Sequence, residues 1–255
     1  MRKVYYGSIL AGLLLAVSGC HANGAKDSAG DSRSGPVATD AARPGEADPG
    51  GKSSEAASGS TQGNGNKNGY QDGRPVLVCF GDSLTAGLGT DAGQTYPDYL
   101  QADLDRLHYG YRVDNEGVSG NTTKDGVERL PEVLALHPAV AVVEFGGNDG
   151  LRGLRIEDTR ANLDEIVSTL KGAGIKVALA GITLPPDYGE DYIRRFNATY
   201  SLLAKKYRVP MLPFLLKDVY GVPGMMQRDD IHATAKGNAI VARTVVPLVL
   251  PLLKK

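Results

Sequence analysis

The chain has 255 residues, with 28 Lys plus Arg against 29 Asp plus Glu and a formal net charge of −1. That length bounds it to one or two domains, and that balance leaves no basic footprint, which excludes a nucleic-acid partner. Two cysteines exclude a disulfide framework, so the folded part must be stable on its core alone.

Residues 1–20 begin with Arg2 and Lys3, followed by an apolar run from Ile9 to Val17 that is too short for a stable membrane span. The run ends in Val17-Ser18-Gly19-Cys20. Charge, apolar run, small residues and Cys, in that order, resemble the signal and lipobox of bacterial lipoproteins. The resemblance implies export, acylation of Cys20, and a stable lipid anchor facing the cell envelope. An ordinary signal peptide with an incidental Cys is the alternative reading. Residues 21–73 are rich in Gly, Ser, Ala, Asp, Asn and Lys and show no apolar period. They are expected to form a disordered linker, a tether for a folded domain at 74–255.

That domain opens with Val76-Leu77-Val78-Cys79-Phe80, an apolar, β-branched run that reads as a strand buried on both faces of a parallel sheet. Cys79 within it reads as a small buried hydrophobe. The run breaks at Gly81-Asp82-Ser83-Leu84, and helical spacing follows from Tyr96 to Leu107. Ser83 therefore falls on a strand-to-helix turn, exposed at the carboxyl edge of the sheet, where a nucleophile is well placed. Asp followed by Ser is equally a helix N-cap pair. A short second strand is expected at 109–113, leading into Gly117-Val118-Ser119-Gly120-Asn121-Thr122-Thr123. Gly120 either admits a ligand close to its backbone or serves turn geometry. Thr122 or Thr123 caps the next helix, which Pro131 bends.

The third strand is 139–145, and it breaks at Gly146-Gly147-Asn148-Asp149. Asn148 either points an amide into a cleft or serves the turn. A helix follows over 156–170. The fourth strand is 175–182, then come a stiff loop at 184–189, a helix at 191–207 and a fifth strand at 209–212. A loop carries Asp229-Asp230-Ile231-His232 into a last helix at 235–252.

Strand and helix alternating about five times predict an α/β three-layer sandwich around a parallel sheet with right-handed crossovers. The open order for five such strands is the flavodoxin-like 2-1-3-4-5. Ser83, Gly120, Asn148 and the Asp229–His232 loop then share the carboxyl edge. A serine nucleophile needs a base. Of the three histidines in the domain, His108 ends a helix, His137 precedes Pro138 on the far side, and only His232 reaches the reactive edge. Asp229, three residues before His232, can orient it. The N–H groups of Ser83 and Gly120 and the amide of Asn148 supply the donors of an oxyanion hole.

These four blocks resemble the SGNH (GDSL-type) hydrolases over essentially Pro75 to Leu253. The resemblance is closest to the bacterial thioesterase I/lysophospholipase/arylesterase branch. It implies Ser83 as nucleophile, His232 as base, Asp229 as its partner, Ser83, Gly120 and Asn148 as the oxyanion hole, and neither metal nor cofactor. In that branch the residue after the triad Asp is often Gly and the one after His often Pro; here they are Asp230 and Ala233. The implied activity is hydrolysis of acyl or aryl carboxylic esters, lysophospholipids or thioesters included, through an acyl-serine. No repeat, coiled coil or large apolar face in the sequence suggests an obligate partner, and a monomer is expected. Gly150 to Leu154 resembles a mobile loop at the cleft mouth. Leu151, Leu154, Leu184 and Pro185 are expected to form an apolar acyl groove, or else to pack the loop onto the domain. A carbohydrate acetylesterase of the cell envelope and a non-catalytic surface lipoprotein are the rival readings.

Overall fold

The computed structural model describes residues 73–255. The signal segment, Cys20 and all but the last residue of the linker lie outside the described residues.

The first strand, β1 (Val76–Gly81), is buried along its whole length. It lies between β2 (Arg112–Gly117) and β3 (Val140–Glu144), with β4 (Lys176–Ala180) and the two-residue β5 (Met211–Leu212) beyond. All neighbours are parallel, in the order β2-β1-β3-β4-β5, as expected. Consecutive strands thus leave β1 and β3 toward opposite edges, which opens a crevice at their carboxyl ends.

β2 runs through Asp114-Asn115-Glu116, later in the chain than the 109–113 expected. It is an edge strand with no apolar alternation to mark it, and ion pairs hold its polar residues. Arg112 meets Asp114 at 2.9 Å and Arg129 meets Glu116 at 3.6 Å.

β1 gives way to a single helical turn, α1 (Ser83–Ala86), and then to α2 (Tyr96–Arg106), opened by a Thr95/Asp98 capping box and Pro97 in its first turn. Tyr96, Leu100 and Leu104 form its buried stripe. The region expected as one helix bent at Pro131 is two: α3 (Thr123–Glu128), capped by Thr122, and α4 (Leu130–Ala135). Pro131 lies in the first turn of α4, where its missing N–H costs no hydrogen bond. α5 (Gly147–Leu151) follows β3, α6 (Ile156–Gly172) precedes β4, and α7 (Glu190–Tyr207) precedes β5. The last helix, α8 (Ala235–Val249), ends in a 3-10 turn over Leu250–Leu252.

Helices cover both sides of the sheet; α2 packs on α8, and α6 packs on α3, α4 and α7. The core between them holds Phe80, Phe145, Phe196 and Tyr200, each almost wholly buried, and each such side chain stabilises the fold by about 1.5–3 kcal/mol. Cys79 is buried among them, and burial pushes its thiol up to about 12, so it packs as an inert hydrophobe.

Candidate active site

The turn after β1 is forced by close packing. A side chain on Gly81 would meet Thr85 Oγ1 at 2.1 Å and the Glu144 carbonyl at 2.6 Å. Only a glycine lets the chain pass that close to β3. Asp82 then caps α1, its Oδ1 accepting the Leu84 N–H at 3.0 Å. The two readings of Asp82-Ser83 are therefore both met. Asp82 is the cap, and Ser83 opens the helical turn with its hydroxyl at the crevice.

Ser83 Oγ lies 2.8 Å from His232 Nε2, and His232 Nδ1 lies 2.6 Å from Asp229 Oδ2. The side chain of His232 is 13% exposed and that of Asp229 44% exposed. Asp229 Oδ1 also accepts the backbone N–H groups of Ile231 at 3.0 Å and His232 at 3.1 Å. Burial alone raises the Asp229 carboxyl, but the hydrogen bonds from the His232 ring and from these two amides outweigh it and hold the group down to about 2. The loop is closed by an antiparallel bridge between Met226 and Ala233. Gln227 adds three bonds, its N–H to the His232 carbonyl at 2.8 Å and its Nε2 to the carbonyls of Leu88 at 2.7 Å and Ala233 at 2.9 Å. Sequence reasoning missed Gln227, since a glutamine in a loop carries no positional signature. Asp230 stands between the two functional residues with φ 54°, a left-handed conformation.

Asn148 lies in α5, whose N-cap Gly146 has φ 116°. A side chain there would meet Tyr200 Oη at 2.4 Å, and that hydroxyl donates to the Phe145 carbonyl at 2.9 Å. Asn148 Nδ2 donates to the Asn121 carbonyl at 2.9 Å and to Asp82 Oδ2 at 3.2 Å. Its neighbour Asp149 is buried and accepts the Thr123 N–H at 2.9 Å and the hydroxyls of Thr123 at 2.5 Å and Thr159 at 3.2 Å, tying α5 to α3 and α6. Gly120 is left-handed, with φ 84°, and its carbonyl accepts from Arg152 at 2.9 Å. It does not line the cleft but lies on the loop beside it, next to Asn121.

The cleft beside Ser83 and His232 has a volume of about 200 Å³. Leu151, Leu184 and Pro185 line it as expected, joined by Ile182, Phe214 and Tyr220, which the sequence did not single out. Ile182 was assigned to a strand that ends two residues sooner, at Ala180, which frees it to turn into the crevice. Leu154 is corrected: it is 42% exposed and outside the cleft. α5 ends at Leu151, Arg152 closes its last turn, and the chain departs so that the Leu154 carbonyl accepts from Tyr192 Oη at 3.1 Å. Leu184 packs so tightly on Gly150 that a side chain there would meet Leu184 Cδ2 at 2.5 Å. His108 and His137 take no part in the cleft; both occupy left-handed positions. Among the described residues no group of three or more His, Cys, Asp or Glu could hold a metal ion.

Residues 79–240 match the GDSL-like Lipase/Acylhydrolase family. Esterase TesA of Pseudomonas aeruginosa is 41% identical over 179 residues, a stretch covering 70% of this chain and 89% of that one. Thioesterase 1/protease 1/lysophospholipase L1 of Escherichia coli is 38% identical over 178 residues, covering 69% of this chain and 84% of the relative. A crystal structure of TesA superposes with a TM-score of 0.68 at 41% identity, covering 70% of this chain and 99% of that one. The likeness in sequence therefore runs through the sheet, the Ser83 turn and the loop of Asp229 and His232 alike, and on it this chain belongs to the GDSL-like lipase/acylhydrolase family as a serine esterase.

Proposed function

We propose that Ser83 is the nucleophile of an acyl-serine mechanism, with His232 as its base and Asp229 as the group that orients the base. The observation that carries this reading is the unbroken run of hydrogen bonds from Ser83 Oγ through His232 to Asp229, at 2.8 and 2.6 Å. Ser83 attacks the ester carbonyl as His232 Nε2 takes its proton. His232 then returns the proton to the leaving alcohol or thiol, and water repeats the sequence on the acyl-enzyme. Asp229 stays ionised and stabilises the imidazolium that forms between the two transfers. The backbone N–H groups of Ser83 and, from the loop beside the cleft, Gly120, together with the Asn148 amide, take the negative charge of the tetrahedral intermediate; the Asn148 amide does so by giving up one of its two resting acceptors, the Asn121 carbonyl or Asp82 Oδ2.

The apolar lining of the cleft favours an acyl or aryl group over a sugar, since a carbohydrate site needs convergent polar groups. Esters of acyl chains and aryl alcohols, lysophospholipids among them, are the substrate class of this reading. The names esterase and thioesterase/lysophospholipase borne by the relatives support it. The lipobox at Cys20 supports export and anchoring, with the domain tethered as a monomer on the outer side of a membrane.

The test is hydrolysis of a p-nitrophenyl ester series, from acetate to palmitate, by the protein and its Ser83→Ala variant. A Ser83-dependent optimum at medium chain length is the expected result. Ser83-dependent activity on acetate alone would replace the acyl-groove reading with a deacetylase, and a Ser83→Ala protein that keeps most of its activity would remove Ser83 from the mechanism. Retention of a Cys20→Ser protein in the membrane fraction would count against the anchor.

A further inference from the structure

Asp229 and the bridge between Met226 and Ala233 aim His232 within its own loop, but neither sets how far that loop stands from Ser83. Among the described residues, two hydrogen bonds cross from the loop to the turn that carries Ser83. One is the Ser83–His232 contact itself, at 2.8 Å. That bond is broken and remade in each turnover, so it cannot also serve as a fixed spacer. The other runs from Gln227 Nε2 to the Leu88 carbonyl at 2.7 Å. The same nitrogen donates its second hydrogen to the Ala233 carbonyl, next to His232, at 2.9 Å. Leu88 is a fixed reference for the nucleophile, since its own N–H returns to the Ser83 carbonyl at 3.1 Å, beside that of Gly87 at 3.0 Å. With a carbonyl on each hydrogen of the nitrogen, the amide has one orientation, and its oxygen falls against Gly89. Gly89 is left-handed at φ 79°, and a side chain on it would meet Gln227 Oε1 at 2.2 Å. The glycine thus leaves open the space that the amide fills. Gln227 does not line the cleft.

We propose that Gln227 is a positioning residue for the base, its amide fixing the gap between Ser83 Oγ and His232 Nε2 by bonding at once to the Leu88 carbonyl on the nucleophile's side and the Ala233 carbonyl on the base's side. The role rests on the reading of His232 as the base of Ser83. Proton transfer needs the two heteroatoms within hydrogen-bond reach, and Gln227 supplies that spacing without touching substrate. An amide suits the task because it offers two N–H donors to two carbonyls and brings no charge beside the imidazole. A glutamate of the same shape has no such donor when ionised, and its charge would face both carbonyls.

The experiment measures kcat and KM on p-nitrophenyl butyrate for the full-length protein and for Gln227→Glu, Gln227→Ala, Gly89→Ala, the Gly89→Ala/Gln227→Ala double variant and His232→Ala, with circular dichroism to show that each is folded. Gln227→Glu and Gln227→Ala should lose roughly ten- to a hundredfold in kcat, the scale of a misplacement of about 1 Å, with KM within about twofold. Gly89→Ala, whose methyl displaces the amide, should lower kcat in the otherwise native protein but by less than about threefold further when Gln227 is already Ala. A loss of less than about tenfold in a folded Gln227 variant overturns the proposal. So does a loss carried by KM, or a Gly89→Ala loss as large in the Gln227→Ala protein as in the native one. Where one variant does not fold, the others decide by the same thresholds. His232→Ala separates this role from the reading beneath it. If it loses nearly all activity while the Gln227 variants do not, only the positioning role fails. If it keeps full kcat, the base assignment fails and the positioning role fails with it.

Discussion

Asp229 binds His232 twice, through the ring at 2.6 Å and through the backbone N–H at 3.1 Å, so one carboxylate sets both the imidazole and the loop that carries it. Asp229→Asn keeps an acceptor for the backbone but loses the charge opposite the imidazolium. Its kcat should fall by about a thousand- to ten-thousandfold, with a lower Tm at neutral pH. Because the folded carboxyl is held below its ordinary value of 3.8, at about 2, its contribution to stability is complete above pH 3.8 and lost as pH falls toward 2. Thermal melts of wild type and Asp229→Asn should accordingly converge over that acid window.

Glu144, fully buried at the end of β3, gives the opposite slope. Glu144 ionises at an ordinary value of 4.5 when unfolded and stays protonated to a much higher pH when folded. The folded state then binds more protons than the unfolded one, so this contribution is fully present below pH 4.5 and is lost as pH rises above it. Glu144→Gln removes the titration. The Tm of Glu144→Gln minus that of wild type should increase as pH rises above 4.5; a difference independent of pH would show that Glu144 is ionised in the folded protein.

Asp230 holds a left-handed backbone at φ 54°. Aspartate tolerates that region better than most residues, whereas a β-branched side chain does not. Denaturant unfolding should find Asp230→Gly within about 1 kcal/mol of wild type, and Asp230→Val destabilised by about 1–2 kcal/mol with lower kcat, since the strain falls between Asp229 and His232.

Leu184 is buried, lines the cleft and packs on the α5 residue Gly150. Leu184→Ala should cost about 2–4 kcal/mol in urea unfolding. The space it opens joins the cleft, so the ester optimum should move toward longer or bulkier acyl groups.

The strands buried on both faces were legible because their apolar runs have no other use, and the strand order followed from alternation with helices. Ser83, Asn148, Asp229 and His232 were legible for a related reason. In such a sheet the carboxyl edge is the place where polar side chains from distant blocks meet. β2 was misplaced because an edge strand of Asp, Asn and Glu has no pattern of its own. Leu154 was placed in the groove because the sequence does not reveal that Gly147–Leu151 coils into a helix and turns the chain outward. The burial of Glu144 was hidden more deeply. A glutamate at the end of a strand reads as a solvent-facing charge, and its burial depends on Gly81, Thr85 and Tyr96 closing around it from elsewhere in the chain.

Ser83 belongs to the first strand's turn, and His232 follows it by 149 residues, just ahead of the helix α8 that packs on α2. During synthesis from the N-terminus the proposed nucleophile emerges 149 residues ahead of its proposed base. A chain stalled or clipped before Asp229 carries the serine but no partner to activate it. On the proposed mechanism hydrolytic competence arrives only once Asp229 and His232 have followed, and copies cut off before them remain silent toward the esters around them.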